Sequence, residues 1–276
     1  MIMRLEREQS VKEYLDIMDH RKTEQLIDTL DKVEQNRKEC YIREFSIEHF
    51  HDSKVFETLI PKICKIFREE NEELTGFENE EILAEYQIYK TPGYVYMKGN
   101  VQIYSAGKQA ADINAFPEGI AVAVGSEEDT PDICPDQTID KVFTIENLTS
   151  FYRFKQEHSL VIYLGGYHNH SRRNLLMQIY QKLPDAQYYH FGDLDAGGFY
   201  ILEHLKRKTG IPFQMFQMDI EILKKYEDYA KPLTENDKKR LMQLEKMELP
   251  DEERKLITYM LQKGIKLEQE CISESQ

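Results

Sequence analysis

Apolar residues recur three and four positions apart in two early stretches, Val11, Tyr14, Leu15, Met18 and then Leu26, Ile27, Leu30, Val33. That spacing lines one face of a helix. Tyr41 to Phe45 has the composition of a short strand, and Ser53 stands where a serine caps a following helix. The face of that helix would be Val55, Phe56, Leu59, Ile60, Ile63, Ile66 and Phe67. After an acidic loop over Glu69 to Glu80, the strands Glu85 to Tyr89 and Tyr94 to Lys98 flank Thr91-Pro92-Gly93, a strong turn signal. A further strand, Val101 to Tyr104, follows Gly99-Asn100. Helices followed by a β-hairpin fit a winged-helix module.

The pattern then changes to alternation of strand and helix. Lys141 to Asn147, Leu160 to Gly166, Tyr188 to Phe191 and the weaker Gln214 to Asp219 read as strands. Amphipathic stretches of helical length separate them: Leu148 to Gln156, Ser171 to Leu183 and Gly198 to Lys208. Such alternation predicts an α/β fold, a parallel sheet flanked by helices, in which ligands gather at the carboxyl ends of the strands. Three more helices are expected over Ile220 to Tyr229, Glu235 to Met247 and Asp251 to Lys263, punctuated by Pro232 and Pro250. Ser126 to Gln137, with two prolines and several acids, reads as a linker. The expected boundary is near Asp140, dividing residues 1–139 from 140–276.

Candidate chemistry concentrates in Tyr188-Tyr189-His190-Phe191-Gly192-Asp193-Leu194-Asp195-Ala196-Gly197-Gly198-Phe199. An aromatic strand stops at two carboxylates one residue apart, and a glycine pair opens a helix. Asp193 and Asp195 project from the same side of an extended backbone. Two such charges repel unless a cation lies between them, which points to a hard divalent metal such as Mg²⁺, with Mn²⁺ as a substitute. Glu146 ends an upstream strand at the same edge, as a further ligand or a general acid/base. The competing roles for these acids are helix caps and surface charges. Gly165-Gly166 and Gly197-Gly198 allow close backbone approach, or simply tight turns. His168 and His170, spaced two apart without further ligands, read as surface residues.

A glutamate ending one strand and an Asp-x-Asp two strands later resemble the Toprim domain, the Mg²⁺-binding module of topoisomerases, primases and several nucleases. With their flanks, Thr144-Ile145-Glu146-Asn147-Leu148-Thr149-Ser150-Phe151, Tyr163-Leu164-Gly165-Gly166-Tyr167 and His190 to Phe199 resemble the C-terminal region of the JetD family. These are the topoisomerase VI-like nuclease subunits of Wadjet plasmid-defence systems. Arg43-Glu44-Phe45-Ser46-Ile47-Glu48-His49-Phe50-His51-Asp52-Ser53-Lys54 and Leu267-Glu268-Gln269-Glu270 extend the likeness from about Tyr41 to Glu270. The resemblance implies a C-terminal Toprim domain behind a helical, winged-helix (CAP-like) domain for DNA binding or interaction. It implies a Mg²⁺-dependent DNA endonuclease with Glu146, Asp193 and Asp195 as catalytic and metal-binding residues. Glu268 and Glu270 become candidates for a second metal. The implied partners are DNA and an SMC-type motor complex, with a homodimer natural for double-strand cleavage. Topoisomerase VI-type enzymes attack through a tyrosine, but none of the 17 tyrosines sits in an identifiable nucleophile motif. Tyr41 is nearest to a plausible place and reads better as core, so hydrolysis is favoured. The alternatives are a non-catalytic DNA-binding or scaffold subunit, and a stand-alone Toprim nuclease; the latter is disfavoured by the lack of a P-loop or zinc-ribbon pattern.

Charge qualifies this picture. The formal net charge is −14 over 276 residues, which opposes tight, independent DNA binding by phosphate neutralisation. Local basic clusters remain at Arg172-Arg173, Lys206-Arg207-Lys208, Lys224-Lys225 and Lys238-Lys239-Arg240. Arg172, Arg173, Lys206, Arg207 and Lys208 lie on helices expected to flank the site and are the candidate DNA contacts; solvated helix faces are the alternative. Four dispersed cysteines, Cys40, Cys64, Cys134 and Cys271, fit reduced thiols better than disulfides or zinc ligands. No apolar run has membrane-spanning length, and the charged start does not read as a secretory signal, so a cytoplasmic protein is expected.

Overall fold

The computed structural model describes residues 19–71, 74, 77–90, 93–124, 131–165 and 170–272. The helix expected from Val11 to Met18, Thr91 and Pro92 of the turn, residues 126–130 of the linker, Gly166 and His168 lie outside them, as does the side chain of His170. The chain forms two compact units, residues 1–92 and 93–276.

In the first unit, helices α1 (His20–Gln35), α2 (Ile42–Phe50), α3 (Val55–Glu70) and α4 (Asn79–Glu85) accompany the short parallel strands β1 (Cys40–Tyr41) and β2 (Ile88–Tyr89). Phe45 and Phe56 bury their rings 4.5 Å apart, in contact between α2 and α3. Two local expectations are corrected here. Tyr41 to Phe45 turns into a helix, because Glu44 Oε2 accepts the Tyr41 N–H at 2.8 Å and so caps α2. The residue preceding α3 is Lys54, not Ser53, and the buried Ser46 hydroxyl accepts the Phe56 N–H at 3.1 Å in place of a local cap.

The second unit contains a six-stranded mixed sheet of order β11-β10-β8-β9-β3-β6. Its strands are β3 (Gly93–Gly99), β6 (Ile120–Val124), β8 (Lys141–Ile145), β9 (Ser159–Tyr163), β10 (Gln187–Phe191) and β11 (Gln214–Met215). The last four are parallel, and β3 and β6 complete the sheet antiparallel. This overturns the expected hairpin, since β2 and β3 belong to different sheets and different units. It also moves the boundary between compact units to Pro92/Gly93, away from 139/140. The second half of the expected linker is β7 (Asp132–Pro135), which pairs with β4 (Val101–Ser105); β4 in turn pairs with β5 (Lys108–Asp112). Ile133 buries its side chain fully there, and Pro135 is tolerated because β7 is an edge strand.

The central strands read as continuous apolar runs because both faces are covered. Val142, Leu160 and Ile162 enter one core with Leu175, Leu176 and Ile179 of α6 (His170–Lys182). Their sequence neighbours Phe143, Ile145 and Val161 enter the opposite core. That core is shared with α5 (Leu148–Arg153), α8 (Ile220–Lys225), α9 (Glu235–Leu244) and α10 (Asp251–Lys263). Helix α7 (Ala196–Thr209) supplies Leu202 and Leu205 to the first core and Phe199 to the second. Strands β12 (Lys231–Pro232) and β13 (Ile265–Lys266) then pair antiparallel.

Phe143 lies three residues before Glu146, with its ring 4.7 Å from Phe154, 5.0 Å from Phe216 and 5.2 Å from Tyr189. Phe143→Ala is expected to cost about 3–5 kcal/mol by leaving a cavity under β8, measured by denaturant unfolding. A loss below about 1 kcal/mol would show that this aromatic cluster does not anchor the strand.

Candidate metal centre

Glu146 directly follows β8, and Asp193 stands two residues beyond β10. These strands are parallel neighbours with Ile145 opposite Phe191, and the Glu146 N–H extends the ladder by donating to Phe191 O at 3.0 Å. The Glu146 carboxylate consequently reaches the next backbone, where Oε2 accepts the Asp193 N–H at 3.4 Å. Gly192 makes the room. A Cβ at that position would stand 2.7 Å from Glu146 Oε2 and 2.9 Å from His190 Nε2, so a larger residue would displace the carboxylate. The chain passes from β8 to β9 on one side, then crosses to β10 on the other. Glu146 and Asp193 therefore flank the point where strand order reverses, the place where open parallel sheets leave a crevice for ligands.

Asp195 is the N-cap of α7, with Oδ1 accepting the Gly198 N–H at 3.0 Å. Its carboxylate also suits the positive end of that helix. The capping role weighed for these acids is thus real for Asp195, and it leaves accepting capacity on the carboxylate. The two glycines that follow are not equivalent. A Cβ on Gly198 would lie 2.2 Å from the Asp193 carbonyl oxygen, whereas one on Gly197 would meet only the Asp195 side chain, at 3.0 Å.

The C-terminal segment returns to the same place. Leu194 and Leu267 exchange N–H···O bonds of 2.9 and 3.1 Å. Gln269 donates its N–H to Asp193 Oδ1 at 2.6 Å. Its fully buried side chain donates from Nε2 to Phe191 O and accepts the Asn147 N–H on Oε1, both at 2.9 Å. Asn147 caps α5 through Oδ1 and donates from Nδ2 to Glu270 Oε1 at 2.6 Å. Glu268 Oε1 is 2.5 Å from Lys231 Nζ in an exposed ion pair.

This crowding changes the ionisation of Asp193, whose pKa is pushed up to about 6. Burial is the largest cause; the Gln269 N–H opposes it, and the charges of Asp195, Glu268 and Glu270 reinforce it. Beneath the site His190 is fully buried, with Nδ1 3.0 Å from Thr144 Oγ1. Burial, reinforced by the charge of Lys206, drives its pKa down to about 3, so the imidazole is neutral.

The donor set has the chemistry of a hard-cation site: several carboxylates around a partly buried acid that resists ionising alone. Among the described residues no three His, Cys, Asp or Glu side chains close into a ready-made cage. The residues therefore fit an ion held by one or two carboxylates that keeps water or substrate oxygens in its remaining positions, as Mg²⁺ does.

The five candidate DNA contacts are placed differently from expectation. The Arg172 guanidinium donates to Leu164 O at 2.6 Å and to Tyr94 O at 3.4 Å, and Arg173 is buried. Lys206 binds Glu203 and the buried Glu253. Lys206, Arg207 and Lys208 occupy the last turn of α7, 11 to 13 residues from Asp195. At 1.5 Å per residue their backbone positions lie about 17–20 Å along the helix from Asp195, although the Lys206 side chain is near enough for its charge to act on His190. Of the five, only Arg207 and Lys208 are exposed. Gln269 and the Thr144–His190 pair escaped the sequence pattern. The signal for Gln269 was an amide between two acids, but its role depends on partners as far as 122 residues away.

A model of the family described as Wadjet protein JetD, C-terminal, matches residues 129–276. Wadjet protein JetD of Bacillus cereus (strain Q1) is 29% identical over 255 residues, covering 90% of this chain and 61% of the relative. The chain thus spans about three fifths of the length of that relative.

Two outcomes follow from the geometry. Gly198→Ala should lose more than about 2 kcal/mol of stability through its backbone clash, while Gly197→Ala should change it by less than about 1 kcal/mol; parallel thermal melts separate them. For Asp193, the fold binds a proton more tightly than the open chain does, so its contribution falls as pH rises from near 4 to about 6. Without divalent ions, Asp193→Asn should therefore be more stable than the parent by roughly 1–3 kcal/mol at neutral pH. The advantage should disappear near pH 4, where denaturant unfolding in EDTA would detect its loss.

Proposed function

This chain belongs to the Wadjet protein JetD family, and from that membership we propose a divalent-metal-dependent DNA endonuclease subunit of a Wadjet-type defence complex. The supporting observation is the meeting of Glu146 with Asp193 across the β8–β10 switch point, with Asp195, Glu268 and Glu270 close enough to raise the pKa of Asp193. We read the parallel strands and their crossing helices as a Toprim domain extended by β3 and β6. The helical first unit is assigned the CAP-like role of DNA binding or contact with other subunits.

Asp193 and Asp195 would hold Mg²⁺ or Mn²⁺, with Glu146 as further ligand or proton acceptor through Oε2. When bound, the ion supplies Lewis-acid neutralisation of charge on the scissile phosphate. The residues contribute placement: the Asp193 N–H orients Glu146, the Gly198 N–H holds one oxygen of Asp195, and the Gln269 N–H holds one oxygen of Asp193. Hydrolysis is favoured over attack by tyrosine. Tyr163 ends β9 near Glu146, but burial raises its pKa and disfavours the phenolate that would attack.

A net charge of −14 and the internal use of Arg172 and Arg173 argue against independent DNA capture. The substrate, plasmid or other foreign DNA, would be presented by an SMC-type motor, with a homodimer cutting both strands in the cytoplasm. A non-catalytic scaffold is the second reading, favoured by the capping role of Asp195.

The test uses supercoiled plasmid, the chain together with the other subunits of its defence system, and Mg²⁺ or Mn²⁺. The parent should cleave. Asp193→Ala should lower the rate by at least about 100-fold, equivalent to about 2.7 kcal/mol of transition-state stabilisation. Equal cleavage by parent and variant would remove Asp193 from the chemistry, absence of cleavage under every condition would favour the scaffold, and a phosphotyrosine adduct would overturn hydrolysis.

A further inference from the structure

We propose that Gln269 is a positioning residue of this centre, setting the separation of the β8 and β10 ends and thereby the arrangement of Glu146, Asp193 and Asp195 around a cation. It rests on the metal-binding role proposed above for Asp193 and Asp195.

The last rung of the parallel ladder is the Glu146 N–H on Phe191 O at 3.0 Å, just past the Ile145–Phe191 pair. Gln269 ties the two chains together beside that rung with three hydrogen bonds directed at three different groups: the Asn147 N–H next to Glu146, the Phe191 carbonyl just before Gly192, and Asp193 Oδ1 itself. The first two require one side chain that both accepts and donates at fixed reach, which an amide does and a carboxylate does not. Asparagine has the same groups but is one methylene too short to keep both bonds. Gln269 is fully buried, whereas Glu268 on one side forms an exposed ion pair. The residue is therefore built into the site, while Glu270 on its other side is exposed and accepts from Asn147 Nδ2.

Its neutrality matters. An arginine or lysine in this position would cancel the charge of the carboxylates and compete with a cation. An amide fixes their geometry and leaves their charge intact. The backbone N–H takes one oxygen of Asp193, limiting rotation of the carboxylate. Because Glu268 and Glu270 are its chain neighbours, docking Gln269 also sets how closely their charges approach Asp193.

Mn²⁺ binding to the purified full chain, followed by paramagnetic resonance without DNA, tests this. Gln269→Ala keeps the backbone bond but loses both side-chain bonds, and Gln269→Glu preserves size while removing the donor. Each should weaken Mn²⁺ binding by at least about tenfold, in the range of partners that orient metal ligands. Ile272→Ala, which removes a buried apolar anchor of the same segment, should lower the melting temperature and leave Mn²⁺ affinity within about twofold. Unchanged affinity in folded Gln269→Ala or Gln269→Glu, or equal weakening in Ile272→Ala, would reduce Gln269 to a tether for the chain end and overturn the inference. Asp193→Ala, measured alongside, separates the two levels. If it binds Mn²⁺ like the parent, the metal-binding role itself fails; if it alone loses affinity, only the positioning role fails.

Discussion

Like charges gathered at the end of a parallel sheet repel, and the second unit is organised around making that repulsion tolerable. Burial raises the pKa of Asp193, and the charges of Asp195, Glu268 and Glu270 add to that rise. Backbone amides supply most of the compensation: Gln269 N–H on Asp193, Gly198 N–H on Asp195, Asp193 N–H on Glu146. Neutral donors lower the cost of each charge without cancelling it. In the proposed function, that uncancelled charge is what would attract the cation.

Holding such a cluster requires a stiff support, and the sheet provides it on both faces. The aromatic group around Phe143, Phe154, Tyr189 and Phe216 lies beneath the strands that end at Glu146 and Asp193. On the other face the buried Thr144 and His190 hydrogen-bond to each other, from the directly paired positions of β8 and β10. Gly192 leaves space for Glu146, and Gly198 lets α7 start against the Asp193 carbonyl. Small residues and buried aromatics thus serve one purpose, bringing two chain turns within hydrogen-bond distance.

The basic residues show how position overrides composition. Arg172 binds carbonyls at the ends of β9 and β3, and Lys206 ties α7 to Glu253 on α10. Their charges stabilise packing between elements and are not displayed as a phosphate-binding face. Of the five candidate contacts only Arg207 and Lys208 remain exposed, and the net charge of −14 opposes independent capture of DNA, which agrees with the proposed delivery of DNA by a partner.

Local pattern alone was enough for most of the second unit. Alternating apolar strands and amphipathic helices specify a βα succession, and the helix from Asp251 to Lys263 has the predicted bounds because proline, an acidic first turn and a following glycine punctuate it. Glu146, Asp193 and Asp195 could be singled out together because each closely follows a predicted strand, and the fold brings Glu146 to the Asp193 backbone while giving Asp195 a capping role as well. Long-range pairing decided the rest. Tyr94 to Lys98 has the local character of a hairpin arm, yet it joins β9 and β6 because two-sided burial in a large sheet outweighs a short local turn. Arg172 and Gln269 acquired their roles from carbonyls and amides remote in the chain. A side chain's residue type records what it can donate or accept; only the folded backbone determines which partner is there.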